Sequence, residues 1–259
     1  MTEHKVVFTT SWDDGHPLDM RVADLLSQHG FRGTFYIPGS NREGLPVVPP
    51  GDMRRLAERF EIGSHTIDHC YLETVGAAEA RRQIAGGKDQ LEQILGHSVS
   101  GFCYPGGHYA SKHRQMVIEA GFAYARTGAS FHRTLLADLF AMPTTIQFYP
   151  HTRNALIRNF VSHGEWTRRT RRFAVALWCG DLMSRLRGLL NHVCSHGGLF
   201  HLWGHAWELE AFDGWRHLES FLVHAAGRIP AEGRLTNRQV LQTPAAYGPD
   251  PAAFAVGQL

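Results

Sequence analysis

The sequence predicts an α/β fold built on a parallel sheet, and two observations predict it. Apolar, β-branched runs alternate with helical patterns from the first residues onward. The 259 residues, 43% of them hydrophobic, suffice for one large core. Repeated βα units in this number and over this length favour a barrel, complete or incomplete, over an open sheet, although pattern alone leaves both open.

The elements follow in order. Lys5 to Trp12 reads as a strand, Pro17 to His29 as a helix and Gly33 to Ile37 as a second strand. A Pro/Gly-rich loop from Pro38 to Gly51 precedes a short helix, Asp52 to Arg59, and a short strand, Glu61 to Gly63. Gly76 to Leu95 is the longest helix, and Gly101 to Tyr104 is a brief strand running into Pro-Gly-Gly. Ser111 reads as the cap of a helix to Ala120, followed by a strand from Phe122 to Arg126. Ala141 to Phe148 is expected as a strand, Arg153 to His163 as a helix, and Phe173 to Trp178 as either. Leu182 to His196 reads as a helix, Leu199 to Trp203 as a strand and Phe212 to Gly227 as a helix. A single domain over 1–259 is expected, with 243–259 a surface-wrapping tail.

Lys and Arg number 26 against 24 Asp and Glu, a net +2, which provides no global field for nucleic acid or an anionic surface. Four cysteines, Cys70, Cys103, Cys179 and Cys194, form no C-x-x-C pair, as suits reduced thiols. Neither a leader core nor a run of ~18 apolar residues is present, so a cytoplasmic enzyme without an integral membrane segment is expected. Oligomeric state is not legible.

Polar clusters end three of the strands. These are Ser11-Trp12-Asp13-Asp14-Gly15, Gly63-Ser64-His65-Thr66-Ile67-Asp68-His69, and His201-Leu202-Trp203-Gly204-His205. In a parallel barrel the C-terminal strand ends share one face, so these clusters converge. Adjacent aspartates repel unless one binds a cation and leaves the other free to take a proton. His65 and His69, four residues apart, place two imidazoles on one side of a helical turn. Two imidazoles and a carboxylate with open positions are the usual ligand set of a hydrolytic zinc site. Separately, Asp-Asp-Gly is a good turn sequence and paired histidines are weak signals in a chain with 17 of them.

On these residues the sequence resembles the polysaccharide-deacetylase family (NodB homology, carbohydrate esterase 4). Ser11-Trp12-Asp13-Asp14-Gly15 is similar to its Thr-Phe-Asp-Asp-Gly motif, and His65-Thr66-Ile67-Asp68-His69 to its His-Ser/Thr-x-x-His motif. The resemblance spans roughly residues 5 to 130 and resumes near 199. It implies a distorted or incomplete (β/α)7 barrel, Asp13 as base, and Asp14, His65 and His69 as ligands of a divalent metal. Zn2+ suits that set best, with Co2+, Ni2+, Mn2+ or Fe2+ also compatible.

The resemblance has departures. The family's Arg-x-Pro-Tyr falls on Cys103-Tyr104-Pro105-Gly106, so proline survives while the arginine and tyrosine do not. Arg126, ending the next strand, is expected to supply the missing guanidinium to Asp13, with a surface arginine as the alternative. The Gly106 amide is assigned to the oxyanion, and Tyr104 and Trp207 to the substrate region. The family's Leu-x-His falls in Leu199 to Glu208, where His205 is preferred as general acid because it lies past the apolar strand, while His201 lies inside it. Glu208 is a candidate partner for His205.

Other features read more blandly. Cys103 is expected as a small buried thiol rather than a nucleophile. Arg168 to Arg172 reads as a solvated helix face rather than a phosphate grip. Tyr149, His151 and Trp178 are candidates for a sugar site or for core. The implied reaction is removal of an N-acyl group, foremost N-acetyl, from an amino sugar, a glycolipid precursor or another small molecule. The alternatives are hydrolysis of another C–N bond, as in a cyclic amide or ureide, and a non-catalytic sugar-binding relative.

Overall fold

Two sets of side chains leave the first strand, β1 (Val6–Asp13), and each enters a different interior. Phe8 and Trp12 join a large apolar layer with Val22, Leu26, Leu186 and Phe221. Val7 belongs to a smaller cluster with Tyr36, Cys103, Tyr124 and Leu199. Thr9, Ser11 and Asp13, all buried, alternate on the same side as Val7. A strand buried on both faces requires helices outside and a curved sheet inside, which is the parallel-barrel solution.

The computed structural model describes residues 6–135 and 138–247. After β1 come α1 (Asp19–Gln28), β2 (Thr34–Ile37), α2 (Pro50–Ala57), β3 (Glu61–Ser64), α3 (Ala77–Leu95), β4 (Gly101–Cys103), α4 (Ser111–Glu119) and β5 (Tyr124–Arg126). Then follow β6 (Ile146–Gln147), α5 (Arg153–Ser162), α6 (Trp166–Trp178), α7 (Leu182–His196), β7 (Gly198–His205), α8 (Ala206–Ala211), α9 (Trp215–Ala226) and α10 (Asn237–Leu241). The strand order is β5-β4-β3-β2-β1-β7-β6, and every pair is parallel. Met142 bridges to Arg126 of β5, while Ile146 and Gln147, four and five residues on, pair with β7. One short segment therefore touches both sheet edges, and the seven strands curl into an incomplete (β/α)7 barrel.

The end of the barrel away from the active face is closed by a polar chain. Asn237 of α10 accepts from Thr9 (2.8 Å) and donates to the Tyr36 hydroxyl (2.9 Å), which donates to Tyr124 (3.1 Å), which donates to Glu61 (2.8 Å). Buried polar groups satisfied in this way favour a unique docking of α10.

The structure corrects several expectations. Ala110, not Ser111, is the N-cap residue of α4, and the Ala110 amide donates instead to Nδ1 of His113 (3.1 Å). The stretch expected as one strand from Ala141 to Phe148 forms β6 only at Ile146–Gln147, because Met142 is committed to the opposite edge. Phe173 to Trp178 is the C-terminal half of a helix that starts at Trp166. The arginine run on that helix is not simply a solvated face. Arg169 is fully buried and donates to the carbonyls of Ser130, Phe160, Gly164 and Asn159, and Arg172 donates to that of Phe131. Strand β7 runs on to His205, and Phe212 to Gly227 holds only α9, with α8 unforeseen before it. Of the expected tail, residues 243–247 form a short turn with Ala246 and Tyr247 buried, and 248–259 lie outside the described residues.

Candidate metal centre and active site

Asp13 ends β1 and Asp14 follows in a left-handed conformation, φ 76°. The loop after β3 carries His65 and His69, with Thr66 (φ 71°) and His69 (φ 59°) also left-handed. Such conformations cost non-glycine residues about 1–3 kcal/mol each and persist where the surroundings over-determine them. The turn is therefore not the helical one expected, yet it still sets the two imidazole centres 5.0 Å apart. Helix α3 clasps it from below. Oε1 of the buried Gln83 accepts from the amides of Ile67 (3.1 Å) and Asp68 (3.3 Å). Gly87, in mid-helix, lets the loop approach so closely that a Cβ there would lie 2.7 Å from the Thr66 carbonyl carbon.

Asp14, His65 and His69 each offer a ligand atom, all within 4.8 Å of one another. The Asp14 Oδ1 lies 3.2 Å from His69 Nε2 and 3.6 Å from His65 Nε2, is buried, and has no hydrogen-bond partner among the described residues. His65 Nδ1 donates to the Cys103 carbonyl (2.8 Å), which leaves Nε2 as the lone-pair nitrogen facing Asp14. Asp14 Oδ2 accepts from the Trp207 indole N–H (2.9 Å). An orphaned carboxylate oxygen converging with two imidazole nitrogens, with Asp14 and His65 set by outer hydrogen bonds and His69 Nδ1 3.8 Å from a Glu43 carboxylate oxygen, fits a divalent cation with open positions. Electrostatics agree: burial opposes the Asp14 charge, but the imidazoles of His65, His205 and His69 outweigh it and hold the carboxyl below its usual range. Burial also opposes charge on His65, yet Cys103 and Asp14 raise it well above its ordinary value, while burial and His65 push His69 down to about 4.

Asp13, 3% exposed, is held by Arg126, whose Nη2 donates to both carboxylate oxygens. Arg126 is itself 1% exposed, with its guanidinium carbon 4.7 Å from the Trp203 ring centre and 5.4 Å from that of Tyr36. The surface-arginine alternative is thus excluded. Cys103 is fully buried with Sγ 3.8 Å from Asp13 Oδ2, and burial raises its thiol, so it remains protonated packing as the sequence suggested.

The two candidate acids separate cleanly. His201 is fully buried, with Nδ1 donating to the Pro143 carbonyl (3.0 Å) and Nε2 accepting from Ser11 (2.9 Å). Burial and then Arg126 lower it to about 3, so it is a neutral core imidazole. His205 sits at the strand end rather than past it, with Nδ1 2.7 Å from Glu208 Oε2 and Nε2 3.9 Å from Asp14 Oδ2. Burial pushes His205 down, and Glu208 and Asp14 push it up by more.

Tyr104 does not reach the substrate region. It is fully buried, stacks on Tyr109 at 4.3 Å, and donates to the Phe140 carbonyl (3.2 Å), because the residue before Pro105 turns its ring out of the barrel. Trp178, 90% exposed at the end of α6, is likewise no part of the site, and Tyr149 packs edge-on against Phe212. Gly106 (φ 67°) lines a cavity of about 290 Å³ together with Gln147, His151, Leu156, Asn159 and Trp203. A residue missed in the sequence links cavity and acid. Gln147 donates to Glu208 (2.9 Å) and its Oε1 accepts from His151 (2.7 Å), and a lone glutamine between Ile146 and Phe148 in an apolar strand was its only signal.

A family model described as Polysaccharide deacetylase matches residues 1–125. Over that stretch, just under half of the chain, the sequence is similar to the polysaccharide deacetylase family. The match takes in Asp13, Asp14, His65 and His69, whereas Arg126 falls one residue beyond it and His205 much further on. The peptidoglycan-N-acetylglucosamine deacetylase of Bacillus cereus is 29% identical over 122 residues, covering 46% of this chain and 43% of that one. A chitin deacetylase from Pestalotiopsis sp is 34% identical over 90 residues, 34% of this chain and 30% of that one. The chain thus spans less than half the length of these curated relatives. The Xyl-CE4 domain of a multidomain xylanase from the hindgut metagenome of Trinervitermes trinervoides superposes with a TM-score of 0.56 at 13% identity, covering 93% of this chain and 94% of that one. That likeness shows a shared fold, the incomplete (β/α)7 barrel.

Proposed function

We propose that this protein is a polysaccharide-deacetylase family member and a metal-dependent hydrolase that removes an N-acyl group, foremost N-acetyl, from an amino sugar or a sugar-containing intermediate. The observation that carries the reading is the meeting, at one barrel end, of the Asp14–His65–His69 cluster with the Arg126-held Asp13 and with His205. The names of the two curated relatives support N-acetyl sugars as the substrate class.

Asp14, His65 and His69 would hold the cation, Zn2+ by preference for two imidazoles and a carboxylate, and its chemistry there is to polarise the acyl carbonyl. The remaining roles belong to the chain. Asp13 accepts the proton of the attacking water while Arg126, bonded to both of its oxygens, holds its carboxylate in place. The Gly106 amide, at the cavity wall, donates to the developing oxyanion. His205, oriented by Glu208, delivers a proton from Nε2 to the departing amine nitrogen. The N-acyl bond breaks, a carboxylate leaves and a free amine remains. Trp207 acts through Asp14, which it orients, rather than on the sugar directly.

A second reading, hydrolysis of another C–N bond such as that of a cyclic amide, draws on Cys103 and Gly106 standing where the family has arginine and tyrosine. One experiment separates the two. Purified protein is assayed for bound metal, for acetate release from a panel of N-acetyl sugars and for cyclic-amide opening, beside Asp13→Asn. Acetate release lost in Asp13→Asn is expected; ring opening alone would transfer the assignment to the second reading, and absence of stoichiometric metal under every loading condition would falsify both.

A further inference from the structure

The outer face of the α5–α6 hairpin carries an apolar stripe that the catalytic reading does not use. Ile157 is 43% exposed and Val161, one turn on along α5, 59%. Trp166 and Trp178, at the two ends of α6, are 57% and 90% exposed, and the thirteen residues of that helix set them about 18 Å apart along its axis. Between the helices runs a shallow groove of about 650 Å³, lined by Arg153, Ile157, Ala174, Leu177 and Trp178. Four exposed arginines, Arg153, Arg158, Arg168 and Arg171, flank the stripe, and residues 153–178 contain one carboxylate, Glu165.

We propose that this face docks on an anionic lipid surface. Two tryptophans with aliphatic side chains between them and arginines at the margins form the pattern that sits at a bilayer boundary, with rings and aliphatics among the acyl-chain ends and guanidiniums at the phosphates. A second copy of the chain is disfavoured because a two-fold contact on this stripe would set the arginines against themselves. Nucleic acid would satisfy the arginines and the indoles but not Ile157 and Val161. The inner side of the same helix α5 supplies Leu156 and Asn159 to the cavity lined by Gly106 and Gln147, so a bilayer on its outer side lies one helix away from that cavity. The inference does not depend on which acyl group is removed.

The test is co-sedimentation of the full chain with phosphatidylcholine vesicles, with and without phosphatidylglycerol. Binding at least about tenfold stronger to the anionic vesicles is expected, reversed by salt. Trp166→Ser with Trp178→Ser should abolish binding to both vesicle types, and Arg168→Gln with Arg171→Gln should remove the anionic preference. Thermal unfolding at the wild-type midpoint shows that each variant keeps the fold. Wild-type protein that ignores both vesicles overturns the proposal. So does a dimer dissolved by the tryptophan substitutions, or a single-stranded DNA complex lost in the same variants while vesicles go unbound.

Discussion

Arg126, the last residue of β5, grips both oxygens of Asp13, the last residue of β1, across the barrel mouth. The two strands are not neighbours in the sheet, so this pair exists only because the sheet curls. Replacing Arg126 by methionine should lower kcat/KM by about 10²–10³ with metal content unchanged, because the base loses the guanidinium that orients it. Stability should fall by about 3–5 kcal/mol, the cost of leaving a buried carboxylate unpaired. Arg126→Lys should restore most of the stability and less of the rate, since an ammonium cannot fix both oxygens in one plane. Steady-state kinetics with metal analysis and urea denaturation check both outcomes.

Metal removal should be visible without any substrate. A ligand at a hundred times its Kd stabilises the fold by about 2.7 kcal/mol, so chelation should lower the melting temperature and re-addition restore it. His69→Ala should abolish that metal-dependent shift while leaving the chelated melting temperature close to that of chelated wild type.

Glu208 and His205 predict a pH effect with a definite sign. Glu208 and Asp14 raise the His205 imidazole, and activity that requires its proton disappears as pH rises through its pKa. Glu208→Gln withdraws the negative charge, so the alkaline limb of the kcat profile should move to lower pH. A fall in kcat of about tenfold or more should accompany it as His205 loses its orientation. An unchanged alkaline limb would take His205 out of the acid role.

His201 predicts a stability effect instead. Its folded-state value, about 3, lies below that of an unfolded histidine, near 6.5. The unfolded chain therefore binds the proton first, and stability falls as pH drops below about 6.5, by up to about 1.4 kcal/mol per unit down to about 3. His201→Gln should flatten that part of the stability profile by this slope, read from urea midpoints between pH 7 and 5, and leave the pH limbs of kcat in place.

Tyr104→Phe removes only a hydroxyl that donates to the Phe140 carbonyl. A stability loss of about 1 kcal/mol and unaltered kcat are expected. A large fall in kcat would return Tyr104 to the substrate region.

The N-terminal half of the fold was legible because each βα unit there declares itself locally, by alternating β-branched runs and by Gly and Pro between elements. The segment around Met142 to Gln147 was not, since its two ends pair with opposite sheet edges and no periodicity records that. The arginines of α6 were misjudged for a related reason. Their spacing suits a solvated face, but the carbonyls that bury Arg169 and Arg172 come from loops at 130–131 and 159–164.

What the sequence determined by itself was the chemistry on offer: an Asp-Asp pair and two histidines at strand ends, in an order and spacing that suit a cation. Ligand identity depends on side-chain types and short spacings, which the linear chain displays directly. Tertiary structure alone decided the partners. Arg126 came to Asp13, Trp207 to Asp14 and Gln147 to Glu208, while Tyr104 was turned into the core and His201 was held neutral between Ser11 and Pro143. Those choices turn on barrel curvature, strand register and burial, which join residues as many as 193 positions apart and leave no local trace in the chain.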